Sequence, residues 1–328
     1  MRFSSAVVLA SLVAVSTASA QGGGAAANAA CTGVSADACQ QAVDYFAYMA
    51  PQLGTAVTGG NTTLGQGGNL GTRFGFMPKI AIGVRINGVL GNAPKFAPTA
   101  QLPGTTTPPQ SQRATATAAI PMPTIDVAAG VFKGIPLGVT TVGGVDLIAS
   151  VAYLPEYNGT EFSVKPKSST AIGFGARVGL LQEGLTSPGV GFSFVTRKLP
   201  VTTLSSTQSG SSFAVDELDV KSTAWRLTVS KSLLILGVAA GVGKDKYTNS
   251  IKDIQATMSG GPTITTPTLK SEVTRTNYFV DLSMNLFLAK LVATVGQVSG
   301  GDIKTYNSYD NSADKSRLYA SGGVRIGF

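Results

Sequence analysis

Along most of the chain, apolar residues fall at every second position. This is the repeat of a strand that turns one face to a greasy environment and the other to a polar one. The last segment is the clearest case. Leu318, Ala320, Gly322, Val324, Ile326 and Phe328 make one face, and Arg317, Tyr319, Ser321, Gly323, Arg325 and Gly327 the other. The same pattern recurs at 80–87, 125–131, 145–153, 172–180, 190–197, 225–231, 234–243 and 277–286. A short version at 73–76 sets Phe74 and Phe76 against Arg73 and Gly75. With the stretch bounded by the short turn near Leu288 and the longer connection at 301–315, eleven strands are counted. One face is aliphatic and aromatic each time. The other holds Gly, Ser, Ala and Asn together with the charges inside the strands: Arg73, Arg85, Arg177, Arg197, Arg226, Arg317 and Arg325, with Asp126, Asp146 and Asp281.

A soluble sandwich also alternates, so the period alone leaves two architectures. Three features favour lipid. Strands of roughly ten residues suit a tilted crossing of the hydrocarbon layer. The polar faces are poor in the Lys and Glu that water-facing strands carry. The connections alternate, short near Pro78, 185–187, 230–233 and Leu288, longer at 90–122, 155–168, 200–213, 245–269 and 301–315. The connection at 132–143 is long for its side, and Gly134, Pro136 and Gly138 mark it as irregular. Barrels of the bacterial outer membrane keep short turns in the periplasm, long loops outside and an even strand number. Even parity asks for one more strand, expected within 52–67. The expected fold is an all-β, antiparallel up-and-down transmembrane β-barrel of twelve strands, or fourteen if 90–122 hides a hairpin. An Arg near the middle of a lipid face costs about 2–4 kcal/mol, which assigns the strand charges to the lumen.

The N-terminal part reads differently. Arg2, the apolar run 6–15 and Ala18-Ser19-Ala20 have the form of a cleaved signal peptide over 1–20. An extension over 21–70 then precedes a barrel over 71–328. Cys31 and Cys39 are the only cysteines, and an exported chain with an even count favours a disulfide between them. From Asp37 to Ala50 the spacing predicts a short amphipathic helix capped by Asp37 and ended by Pro51. Trp225, Tyr153, Tyr278 and Tyr247 stand near strand ends on the long-loop side, where aromatic residues suit the membrane interface.

Composition narrows the chemistry. The chain has no His, which removes Ser-His-Asp and Cys-His catalysis and imidazole metal sites, so neither a metal, a cofactor nor enzymatic activity is expected. The net charge of +8 is spread singly along strands and does not form a nucleic-acid patch. The Gly-rich 237–243 precedes no helix, so it is not a phosphate cradle.

The ending Tyr319-Ala320-Ser321-Gly322-Gly323-Val324-Arg325-Ile326-Gly327-Phe328 resembles the closing signature of outer-membrane β-barrels. The resemblance implies that Phe328 is read by the barrel assembly machinery and that the chain meets outer-membrane lipid. The long-chain fatty-acid transporter type of barrel is similar more loosely, through a segment at 42–70 that could plug the lumen. Two functions are expected from this. One is a passive channel or transporter for small, hydrophobic or anionic solutes. The alternative is a structural or surface-interaction barrel, adhesin-like, working through long loops such as 95–123. The inward charges fit either an anion-favouring lumen or Arg–Asp pairs that fill a narrow one.

Overall fold

A computed structural model describes residues 25–327 apart from 62, 74–76, 103–106, 139 and 160–161. The signal segment, Phe74, Phe76 and Phe328 therefore lie outside the described residues. The dominant feature is a closed antiparallel sheet of ten strands. In chain order these are β1 (Met77–Pro94), β2 (Thr115–Phe132), β3 (Gly144–Tyr153), β4 (Thr170–Leu181) and β5 (Gly189–Lys198). Then come β6 (Ser211–Leu233), β7 (Leu236–Ile251), β8 (Leu269–Leu286), β9 (Ala289–Val298) and β10 (Arg317–Gly327). Each strand pairs with its sequence neighbours. Closure comes from the first and last, with Ala81 opposite Gly327 and Leu90 opposite Leu318. Because every backbone group along the strands finds a partner in the ring, no edge is left open.

The expectation of twelve strands, or fourteen, is corrected to ten. The described residues of 52–67 hold no strand. Residues 52–58 are helical, and the described part of 59–71 runs as irregular chain through the lumen. At the eleventh candidate, of which 74–76 lie outside the described residues, Thr72 and Arg73 pair with Pro78 and Met77 at the foot of β1. Even parity is met by removing that strand, not by adding one. Among the described residues, the 90–122 region holds no hairpin within the sheet. Instead β1 and β2 both run on, pairing from Lys79–Gly130 to Pro94–Thr115.

Strand faces follow the pattern of two. In β3 the outward Leu147, Val151 and Tyr153 alternate with the buried Asp146, Ile148, Ser150 and Ala152. The outward residues of all ten strands form an exposed apolar belt. Past the belt on the long-loop side the sheet continues. β6 is 23 residues long, and short strands at Phe162–Pro166, Thr202–Gln208, Asp253–Thr257 and Thr263–Thr266 add to it there. A bulge at Glu217, with φ of 51°, shifts the register of β6 where this extension begins.

The helix α1 (Ala36–Thr58) fills the long-loop half of the barrel. It passes Pro51, where a helix ending was expected. Proline removes one backbone bond there, and burial on all sides compensates. Tyr45, Phe46, Tyr48, Met49, Ala56 and Val57 are packed among Phe96, Phe213, Val215, Leu218, Val220, Ile251 and Ile254. So the upper interior is a hydrophobic core, whereas the lower interior is polar. Among the described residues, no helix is long and apolar enough to cross a membrane. Cys31 and Cys39 form a disulfide just ahead of and within the first turn of α1.

Candidate functional site: the occupied lumen

The chain threads the barrel from the long-loop end to the short-turn end. At the top, Ala25 N–H donates to Thr305 O, and the Ser35 hydroxyl donates to Pro262 O at 2.7 Å, both partners lying in long loops. At the bottom, Leu70 N–H donates to Asp146, 3.0 Å from Oδ1. Between these points each level of the lumen holds the thread by a buried polar side chain.

Long loops fold over α1 first. Asp37 accepts from Thr99 N–H at 2.7 Å and pairs with Arg113 at 2.8 Å, holding the 95–114 loop. Asp44 accepts from the backbone N–H groups of Tyr306 and Asn307 at 2.8 and 2.9 Å, holding the 299–316 loop. Burial pushes the Asp44 carboxyl above its ordinary value, and these hydrogen bonds oppose that rise. Arg317 donates to the Tyr48 hydroxyl at 2.9 Å.

Lower down, Thr55 shares a 3.1 Å hydroxyl contact with Tyr247, and Thr58 donates to Asp245 at 3.3 Å. Asp245 also pairs with Arg226 and accepts from Asn277 at 2.9 Å. The last carbonyls of the helix find donors in the wall: Asn87 donates to Ala56 O at 2.8 Å, and Arg85 to Gly59 O at 2.5 Å. Arg85 and Arg197 flank Asp126 at 2.9 Å each. In the irregular stretch, Asp281 accepts from Asn61 at 3.0 Å and Gly65 N–H at 3.2 Å. Arg325 donates to Thr63 O and the Gln66 side chain at 2.9 and 2.7 Å. Arg177 pairs with Asp146 at 2.6 Å and reaches the Thr63 hydroxyl.

Two glycines permit this close fit. A Cβ on Gly54 would stand 2.5 Å from the Tyr247 ring, so the helix approaches β7 only because that side chain is missing. A Cβ on Gly191 of β5 would stand 2.1 Å from Gly67 O, the backbone of the thread itself. A void lined by Thr58, Gly60, Ser193, Arg197 and Arg226 totals about 170 Å³ and offers no room to a water-sized sphere. The larger cavity, about 510 Å³, is lined by Lys133, Pro136, Gly138, Thr140, Thr141, Gln182 and Glu183, all at the short-turn rim.

The structure places Arg85, Asp126, Asp146, Arg177, Arg197, Arg226, Asp281 and Arg317 inside, buried, and Arg325 inside and half-buried. They form three Arg–Asp groupings and a set of anchors for the thread. The Arg73 side chain lies outside the described residues. Trp225 faces outward, stacked on Phe192 with ring centroids 6.0 Å apart, and Tyr153 and Tyr278 are also outward. Tyr247 is corrected: it is fully buried in the lumen, not at the interface. Its odd number in β7 puts it on the face of Gly243 and Asp245, and parity carried past 243 finds both. Asp245 and Arg275 are lumen residues that the sequence reading passed over by ending strands at the first Lys or Thr. Among the described residues, no group of three potential metal ligands exists.

No protein-family model matches the chain, and no curated protein matches it. Among solved structures, it is similar to the translocator domain of the autotransporter NalP from Neisseria meningitidis: 13% identity, 76% of this chain and 87% of that one, TM-score 0.36. The Pseudomonas putida toluene transporter TodX aligns at 10% identity, 86% and 97% coverage, TM-score 0.23. Ail, the attachment invasion locus protein of Yersinia pestis, aligns at 9% identity, 76% and 97% coverage, TM-score 0.25. At TM-scores this low, none of these likenesses bears on what the chain does.

Proposed function

We propose that the chain is a transmembrane β-barrel of the bacterial outer membrane whose lumen is closed by its own N-terminal segment, and that it works at its long-loop surface. The membrane part rests on the exposed belt. Ile82, Val84, Ile86, Leu147, Ile172, Phe174, Leu282 and Val295 are each at least 39% exposed on the outside, while charges face in. A water-facing sheet has the reverse arrangement. Contact with outer-membrane lipid and handling by the barrel assembly machinery belong to this reading, the second through the terminal signature at Phe328.

The observation that carries the functional half is the thread held at every level by buried hydrogen bonds and ion pairs. Such a lumen passes no solute, and the first described residue, Ala25, is bonded to Thr305 of a long loop. This favours a structural or surface-interaction barrel over a passive channel. The test uses intact cells carrying an epitope inserted between Gln21 and Gly22. Antibody binding without permeabilisation supports surface display. Epitope reached only after permeabilisation, together with sugar uptake by proteoliposomes of the full chain, would return the reading to a transporter.

One observation favours that second reading. Arg85, Arg177, Arg197, Arg226, Arg275, Arg317, Arg325 and Lys290 outnumber the lumen carboxylates Asp126, Asp146, Asp245 and Asp281. A lumen emptied of its thread is cationic and would favour anionic solutes.

A further inference from the structure

The short turns should face water in a barrel of this kind, yet their tips are greasy. Leu185 is fully exposed between β4 and β5, Leu234 between β6 and β7, and Phe287 between β8 and β9. Ile135, Leu137, Leu233, Ile235 and Leu288 are more than half exposed beside them. Among the described residues of the long loops, Leu102 and Tyr157 are exposed to a similar degree. The three tips are also held side by side. The Lys231 ammonium donates to Gly184 O and Leu185 O at 2.7 Å, fixing the first turn to β6. Asn285 N–H donates to Ile235 O at 2.7 Å, fixing the third to the second. The rim is therefore a built apolar arc, continuous with the belt above it, and not a set of loose turns. Its charge is one-sided. Lys79 and Lys133 are exposed there, and the acid of this rim, Glu183, is spent on the Ser230 hydroxyl at 2.7 Å and Ser232 N–H at 2.6 Å.

We infer that the short-turn rim is a lipid-docking surface: its turns sit in the headgroup and upper acyl layer, with Lys79 and Lys133 against anionic phospholipid phosphates. Bulky apolar tips lower their free energy by leaving water, and lysines beside them are attracted to an anionic leaflet. The inference rests on the membrane-barrel reading, and the test separates the two. Trp225 is the only tryptophan, so Trp225→Phe gives a silent background. Into it go Phe287→Trp or Leu234→Trp as rim reporters and Leu282→Trp as a belt reporter. Each is folded into vesicles of phosphatidylcholine or phosphatidylglycerol, brominated near the headgroup or deep in the chain.

The rim reporters are expected to emit blue-shifted light, lose most of their intensity to shallow bromine and resist acrylamide. Lys79→Gln with Lys133→Gln should remove a preference for quenching by the phosphatidylglycerol. Rim tryptophans that emit as in water and are fully quenched by acrylamide, beside a belt reporter quenched by bromine, overturn the rim proposal and leave the barrel standing. A belt reporter untouched by bromine overturns the barrel reading itself. Equal quenching by both lipids in the parent removes the anionic partner from the proposal.

Discussion

Asp146→Ala tests the idea that the thread and the wall are one electrostatic unit. Asp146 is fully buried and accepts from Arg177 Nε at 2.9 Å, Arg177 Nη2 at 2.6 Å and Leu70 N–H at 3.0 Å. Its removal leaves a guanidinium that is 3% exposed without its counter-charge. Breaking a buried pair from one side costs about 3–5 kcal/mol. Arg177 keeps its contacts to Thr63 and to Gln66 O at 3.2 Å, which puts the expected loss near the lower figure. Removing both partners, Asp146→Leu with Arg177→Met, is milder, because a hydrophobic pair of similar volume is often close to neutral. The double variant should lose about 1–2 kcal/mol, chiefly the orphaned Leu70 N–H. The single variant should therefore be worse than the double one by about 1–2 kcal/mol. The assay is urea unfolding of the vesicle-folded barrel, followed by Trp225 emission. A single variant within about 1 kcal/mol of the parent, or a double variant as damaged as the single one, refutes the reasoning.

Three further outcomes are expected. Gly54→Leu overpacks the helix against Tyr247 and should destabilise by about 1–3 kcal/mol; adding Tyr247→Ala should recover part of the loss, and no recovery in a thermal melt places the clash elsewhere. At Glu183, burial raises the carboxyl, but hydrogen bonds from Ser230 and Ser232 and the nearby Lys290 outweigh it, so the group sits below its ordinary 4.5. A lowered acid stabilises above that value and loses its contribution as pH falls through the folded one. Protection of the Ser232 amide, taken relative to its intrinsic exchange rate at each pH, should fall on acidification in the parent and not in Glu183→Gln, and equal profiles contradict this. Reducing Cys31–Cys39 opens a loop of 8 residues, worth about 2.5 kcal/mol in the chain-entropy account. Protease should then cut before Ala36 while the barrel keeps its compact gel migration; loss of that migration would place the bridge in the barrel's own stability.

Much of the wall was legible and little of the contents. Period two fixed the faces of β1 to β8 and of β10 because the outer surface and the lumen impose opposite chemistry on neighbouring positions, as at Asp146 and Leu147. The strand number was misread because Arg73–Phe76 alternates as a barrel strand does, and alternation over four residues is too short to mark a strand of the wall. The end of α1 was misread for a different reason. Pro51 stops a helix that must hold itself together, but this one is enclosed by the barrel, and Asn87 and Arg85 take its last free carbonyls. Asp245, Tyr247 and Arg275 were hidden because β7 and β8 run on past the apolar belt, where outward residues such as Lys244 and Lys246 become polar and the contrast between faces fades. That the thread enters from the long-loop side is a matter of long-range pairing, of Ser35 with Pro262 and Asp44 with Asn307, and no local pattern carries it.

The central claim is that the N-terminal segment closes the barrel it belongs to. Conductance of the purified full-length chain in planar lipid bilayers tests it most directly. The account predicts inserted protein, verified by its compact gel migration, that gives no steady current. Openings should appear when Asp245→Ala with Asp281→Ala releases the thread at two levels. A stable open pore in the unmodified chain would contradict it.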